Sequence, residues 1–318
     1  MRRCVLHVGT HKTATTSLQH FLDSRPRQLA ASGYLYPRVG RPEGAPAGHH
    51  NLAWQISGDR RFLTDYGTED DLLREIAETN LNIIISSEDF ECSAHHHERF
   101  EKFIAALRRL AIRVSLIVYL RNQIDYAESL YCTQIHQGFD QPFSTFCDEI
   151  LELGAARWRE WIFPFDYESF IDNLAANADV DVIVRSYDHP MQGSPILDFL
   201  SVVGIGDVLA PGEELPYENR RQKLGDTIHR YWYNRSGQSL HDLDLAKVTN
   251  PFHGAKVAWP IMGCALQARF VAAFGNSNLR LSQKYQLPAL ELIRHQRQAA
   301  VLPSLEAVFG IDTPATER

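Results

Sequence analysis

The chain has 318 residues, 44% of them hydrophobic and 22% charged, enough for one large domain or a compact domain with an appended helical region. Its 32 basic and 39 acidic residues leave a net charge of −7, which argues against a mainly nucleic-acid-binding role, since that needs a basic excess. The near-average composition excludes a disordered, collagenous or repetitive chain, and no apolar run reaches the length of a membrane span. Met1-Arg2-Arg3 is a basic start, but the sequence turns polar too soon afterwards for a signal-peptide core. Cys4, Cys92, Cys132, Cys147 and Cys264 are odd in number and lack CxxC spacing, so reduced thiols and a cytoplasmic location are expected.

Short apolar runs alternate with helix-period segments through the first 190 residues, the pattern of a parallel sheet wrapped by helices. Cys4–Val8 reads as the first buried strand, and Thr15–Ala31 as a helix ended by Gly33. Tyr34–Tyr36 reads as a short strand before the Gly- and Pro-rich loop Arg38–His50. Leu81–Ser86 is a second buried run with Glu88 and Asp89 just past its end. His96–Leu110 reads as helix, Arg113–Leu120 as strand, and Ile124–His136 as helix stopped by Gly138. Asp166–Ala176 is helical in period, Val180–Arg185 is the fifth strand, and Pro195–Val203 is a helix ended by Gly204. The expected fold is a three-layer α/β arrangement with a central parallel sheet of about five strands. Beyond about Pro211 strand signals vanish, and Arg220–Ser239 and Leu281–Val308 read as helices, with turns near Asn250–Gly254.

The segment LHVGTHKTATTSL carries the most chemistry. A buried strand ends at Gly9, a polar turn follows, and a helix begins near Thr15, aiming unpaired backbone N–H groups at one point where an anion binds. Lys12 adds a full charge, and Thr13, Thr15, Thr16 and Ser17 add hydroxyl donors. Aligned on Gly9, the nucleoside-triphosphate motif GxxxxGK[ST] puts its second glycine on Ala14, its lysine on Thr15 and its hydroxyl on Thr16. The lysine therefore stands three positions early for a magnesium-bridged triphosphate.

HVGTHKTATTSLQ resembles the turn of sulfotransferases that use 3′-phosphoadenosine 5′-phosphosulfate (PAPS), in the version common among bacterial sulfotransferase-like proteins. A second match is IVYLRNQIDYAESLY, where the family has an arginine after the strand and a serine eight residues on, here Arg121 and Ser129. The resemblance implies that these two bind the cofactor's 3′-phosphate; a guanidinium fork and a hydroxyl suit a phosphate dianion. It further implies that Gly9, His11, Lys12, Thr13, Ala14, Thr15 and Thr16 cradle the 5′ side of PAPS, which leaves as 3′,5′-adenosine bisphosphate. Likeness runs to about residue 205, implying a P-loop-like α/β core over 1–210 with helices of 211–318 packed on it in a single domain.

The departures are specific. His11 replaces a usual proline of animal-type enzymes, Ala14 a usual glycine, and Gln123 a proline common after the arginine. The Gly-rich phosphate loop and histidine-base segment of the cytosolic animal enzymes are missing, which shifts the expected acceptor to a polar, carbohydrate-like hydroxyl or amine. His253-Gly254-Ala255-Lys256 and Arg220-Arg221 are candidates for the remaining phosphate contacts.

Sulfuryl transfer is expected to follow in-line displacement logic, with Lys12 stabilising the bridging oxygen and a side-chain base taking the acceptor proton. Glu88 is the first candidate base because ligands bind at the carboxyl ends of parallel strands; His50 in GHHNLAW is the second. Trp54 either lines a pocket or packs in the core. His95-His96-His97 lacks partners at zinc spacing, and no metal is expected. The competing readings are a kinase or NTPase with Glu88 and Asp89 holding magnesium, and a non-catalytic nucleotide- or glycan-binding protein. A glycan or small-molecule acceptor is the expected partner, with neither nucleic acid nor a membrane span.

Overall fold

The computed structural model describes residues 1–43, 47–176, 180–190, 193–209, 215, 224–236 and 262–287. In chain order the elements are β1 (Arg2–His7), α1 (Thr15–Asp23), α2 (Pro26–Ala31), β2 (Tyr34–Leu35), α3 (His50–Ser57), α4 (Glu69–Ala77) and β3 (Asn82–Ser86). A 3-10 segment over Glu88–His95 follows, then α5 (His97–Arg109), β4 (Ile112–Leu120), α6 (Gln123–His136), α7 (Phe143–Leu153), β5 (Ala155–Trp158) and β6 (Trp161–Pro164). The series ends with α8 (Tyr167–Ala175), β7 (Val180–Ser186), α9 (Pro195–Val203), α10 (Leu224–Ser236) and α11 (Cys264–Tyr285). No helix among the described residues is long and apolar enough to cross a membrane.

By internal packing the chain divides into two compact units, one of residues 1–121, 159–220 and 277–290, the other of 122–158, 221–276 and 291–318. The first holds the five-stranded sheet, ordered β2-β3-β1-β4-β7 and parallel throughout. Register sets Leu6 beside both Ile85 of β3 and Leu116 of β4, so three apolar strands share the centre. Helices cover both faces of such a sheet, which is why its strands read as unbroken apolar runs. Phe21 and Leu22 of α1 and Phe199 and Leu200 of α9 pack with Val5, Ile84 and Ile117 in one cluster. Each such side chain contributes roughly 1.5–3 kcal/mol on burial. From β1 the chain passes to the β3–β2 side, and β7 lies beyond β4, so neighbouring strands lead in opposite directions. A crevice at the carboxyl ends of such a pair is where parallel α/β sheets bind ligands.

The second unit is helical around α6, which buries Leu130, Tyr131 and Ile135. Tyr131 meets Phe143 and Phe146 of α7 edge-on and tilted, at 4.9 and 5.4 Å between ring centroids. From α10, Asn234 Nδ2 donates to the carbonyls of Ile135 and Phe139. The backbone N–H of Met262 donates to the buried Glu128 carboxylate at 2.8 Å.

The α/β fold with five parallel strands stands as the sequence predicts, but several elements differ. Thr15–Ala31 is two helices, because Pro26 occupies the first turn of α2 and forces Arg25 out of helical geometry (φ −128°). The loop Arg38–His50 gives way at its end to α3, and α4 follows; neither helix was foreseen. α4 announces itself through a capping box, with Thr68 accepting from the Asp71 backbone and Asp71 from that of Thr68. α7, β5 and β6 were also unforeseen. The expected helix from Leu281 is the end of α11, which starts at Cys264. Beyond residue 287 that expectation lies outside the described residues, as do Arg220-Arg221, the Asn250–Gly254 turns and His253–Lys256.

Candidate active site

The turn between β1 and α1 is built from unusual backbone. Lys12 has φ +68° and Ala14 φ +61°, both left-handed, with Thr13 between them. Such alternation turns successive N–H groups into one concavity, an anion-binding nest. Ala14 is the N-cap of α1 and provides no side-chain cap, so the amides of Thr15, Thr16 and Ser17 point out of the helix start. A glycine would take this left-handed position without strain, whereas an alanine there costs about 1 kcal/mol. Gly9 is required by space: a Cβ there would come within 2.6 Å of Thr15 Cγ2 and 3.1 Å of Thr13 Oγ1.

Three ties fix this turn. Thr10 donates through its N–H and hydroxyl to the Tyr119 carbonyl of β4, at 3.3 and 3.1 Å. The Thr13 hydroxyl donates to the Thr10 carbonyl at 2.6 Å, closing the turn from within. Arg121, at the end of β4, donates from one guanidinium nitrogen to the Lys12 carbonyl at 3.0 Å. Its backbone carbonyl accepts from Tyr167 OH at 2.7 Å, its guanidinium lies 5.2 Å from the Tyr187 ring, and its buried Nε has no hydrogen-bond partner. The turn lysine and the strand-end arginine, 109 residues apart in sequence, are thus brought together. Ser129 belongs to the second unit, half-buried on α6, where its carbonyl accepts from the Thr133 hydroxyl at 3.0 Å.

The carboxyl end of β3 supplies the acids. Glu88 is half-buried and its carboxylate accepts from Gln19 Nε2 of α1 at 2.9 Å. Asp89 is buried and crowded by donors: Trp54 Nε1 at 2.5 Å, His11 Nε2 at 3.3 Å, His50 Nδ1 at 3.6 Å and Arg61 at 3.8 Å. Burial alone would raise its carboxyl, but His11 and His50 hold it well below the ordinary range. His50 donates to or accepts from the Ser87 hydroxyl at 2.9 Å through Nδ1, while its buried Nε2 has no partner. Burial opposes its protonation, yet Asp89 and Glu88 raise it above the ordinary histidine value.

Glu91 is fully buried and grips His11 twice, accepting from the ring Nδ1 at 2.6 Å and from the backbone N–H at 3.2 Å. Burial works against a charged His11, but Glu91 and Asp89 raise it to about 10. His7, under Gly9, is the opposite case: burial lowers it to about 4 against the pull of Glu88, so it is neutral. Its Nδ1 sits 2.8 Å from Ser86 Oγ, and its Nε2 is buried without a partner. Phe163, Trp161, Arg61, Trp54 and His50 form a continuous stack, with the Arg61 guanidinium 4.1 Å from the Trp161 centroid and 4.4 Å from that of Trp54.

Of the residues singled out from the sequence, Lys12 and Arg121 are joined through the Lys12 carbonyl, Glu88 lies just past β3, and His50 meets Ser87 beside it. Sequence reasoning placed His11 among cofactor contacts, whereas its ring and N–H are directed at acids. Trp54 is an Asp89 partner whose ring also meets Arg61 and His50. Gln19, Arg61, Trp161 and Glu91 were missed, because each matters only through a partner distant in sequence. Glu91 alone left a trace, an acid between Phe90 and Cys92. His95, His96 and His97 are exposed at the junction of the 3-10 segment and α5.

No protein-family model and no curated protein matches the sequence. Among solved structures, the chain is similar to one from the PezAT chromosomal toxin–antitoxin system of Streptococcus pneumoniae, at 12% identity and a TM-score of 0.34, over 59% of this chain and 70% of that one. At that distance the likeness carries no argument about activity.

Proposed function

We propose that the chain is a PAPS-dependent sulfotransferase that transfers a sulfuryl group to a hydroxyl or amine of a polar, carbohydrate-like acceptor by in-line displacement. The observation that carries this reading is the left-handed Lys12 turn, ahead of an uncapped helix start, tied through its carbonyl to Arg121. A nucleotide with charge at both ends suits these residues: the turn carries Lys12 and the uncapped helix start, and Arg121 retains a buried, unpartnered Nε. PAPS would supply the activated sulfuryl group.

In this reading the amides of Thr15 and Thr16, with their hydroxyls, hold the 5′-phosphate, and Thr13 braces the turn. Lys12 places positive charge where negative charge grows as the nucleotide leaves, an effect whose removal typically costs 10²–10³-fold in rate. Arg121 is a 3′-phosphate ligand that the family resemblance suggests. Glu88 accepts the acceptor's proton, oriented by Gln19, and contributes about 10²–10⁴-fold. Asp89 accepts from Trp54 and has His11, His50 and Arg61 within 3.3–3.8 Å, which weighs against the magnesium-holding pair that an NTPase reading needs.

Calorimetric titration with 3′,5′-adenosine bisphosphate and with ATP–magnesium tests this. Magnesium-independent binding of the bisphosphate, weakened by Lys12→Ala and Arg121→Ala, is expected. A preference for ATP–magnesium would sink the assignment. A screen with labelled PAPS then separates an enzyme from a binding protein, since Glu88→Gln must depress turnover while leaving bisphosphate affinity intact.

A further inference from the structure

We propose that Glu91 is a positioning residue for Lys12: with one carboxylate it grips both the main chain and the imidazole of His11, and so fixes the turn that carries the lysine. One oxygen takes the ring Nδ1–H at 2.6 Å and the other takes the backbone N–H at 3.2 Å. A two-point hold on a single residue fixes its backbone direction as well as its side chain. The next residue, Lys12, has left-handed backbone and is tied on its far side by Arg121. Lys12 is therefore bracketed by two charged groups from different strands' ends, with Glu91 upstream and Arg121 downstream.

The surroundings reinforce the hold. Asp89 Oδ1 takes the other ring nitrogen of His11 at 3.3 Å, and the rings of Trp161 and Phe163 meet the imidazole edge-on at 4.8 and 5.1 Å. His11 is thereby held as an imidazolium between two carboxylates, where charge-assisted bonds are shortest and strongest. Glu91 is buried against the 3-10 segment, far from solvent, so its carboxylate has no surface role to explain it. The function reading enters only through the ligand used in one arm of the test.

Glu91→Gln leaves one carbonyl oxygen where two carboxylate oxygens stood, so one His11 contact must be lost. Backbone amide exchange of peptides covering residues 8–18, followed by mass spectrometry at neutral pH, is expected to speed up about tenfold, as befits a lost charge-assisted bond. Exchange in β1 and β4 should stay as in the wild type. Affinity for 3′,5′-adenosine bisphosphate should fall about tenfold in the same variant. His11→Asn, which keeps the backbone contact to Glu91, should give a smaller change of both kinds and serves if Glu91→Gln does not fold. Turn exchange that is unchanged in a folded variant, or that rises equally across the whole sheet, overturns the inference. A loosened turn in a protein whose wild type ignores the bisphosphate upholds it and removes the sulfotransferase reading instead.

Discussion

Three buried histidines and the half-buried His11 are shifted in opposite directions for reasons visible in their neighbours. His7 and His49 are neutral, lowered to about 4 and about 3, chiefly by burial, with Arg41 adding to the effect at His49. His11 and His50 are raised by the carboxylates that touch them. The signs give a pH profile. Below about 6.5 the unfolded chain protonates at His7 and His49 and the folded chain does not, so each removes up to ~1.4 kcal/mol of stability per pH unit until its folded value is passed. The His11 contribution runs the other way: it is complete below about 6.5 and is lost as pH climbs through about 10. Chemical denaturation from pH 4 to 10.5 should therefore show stability rising to a plateau near neutrality and falling on the alkaline side. His11→Asn should remove much of the alkaline fall; a flat profile would mean that these histidines titrate alike in both states. None of this was legible in HHNLAW or GTHKT, because a histidine's charge is set by its partners. What was legible was the residue types that bind phosphate: a lysine among threonines after a glycine.

At the scale of elements, legibility followed how local the signal was. β3 and β4 stood out because their residues are buried and apolar side chains run on almost without alternation, and β1 and β7 by shorter apolar runs. α9 was bounded correctly by Pro195 and Gly204, the latter with φ +84°. α3 hid behind its loop, having no side-chain cap and a short apolar pattern. α4 was overlooked despite its capping box, since its first turn, Glu69-Asp70-Asp71, reads as a solvated acidic run. Its acids face the positive helix start, and Thr68 closes it, so Thr68→Ala should destabilise the protein by about 1 kcal/mol in urea melts. A loss under a few tenths would mean that packing of Leu72 and Ile76 alone sustains the helix. The break at Pro26 teaches the same lesson, because an apolar period that runs through a proline is two helices, not one.

The whole molecule is organised less simply than its sequence suggests. The chain moves between its two compact units at residues 121/122, 158/159, 220/221, 276/277 and 290/291. A fragment of residues 1–210 keeps α6, α7 and β5 of the second unit but loses α10 and the segment that brings Met262 to Glu128. It should show weakened near-ultraviolet dichroism and bind a hydrophobic dye, since Leu130, Tyr131 and Ile135 lose cover. Cooperative unfolding like that of the full chain would show that the second unit closes without them. Both candidate signature segments sit at or beside the first of these passages: Arg121 is the last residue of its segment and Asn122 opens the next. Because the two units interleave along the chain, no single recombination breakpoint between residues 122 and 290 would hand either one intact to another gene.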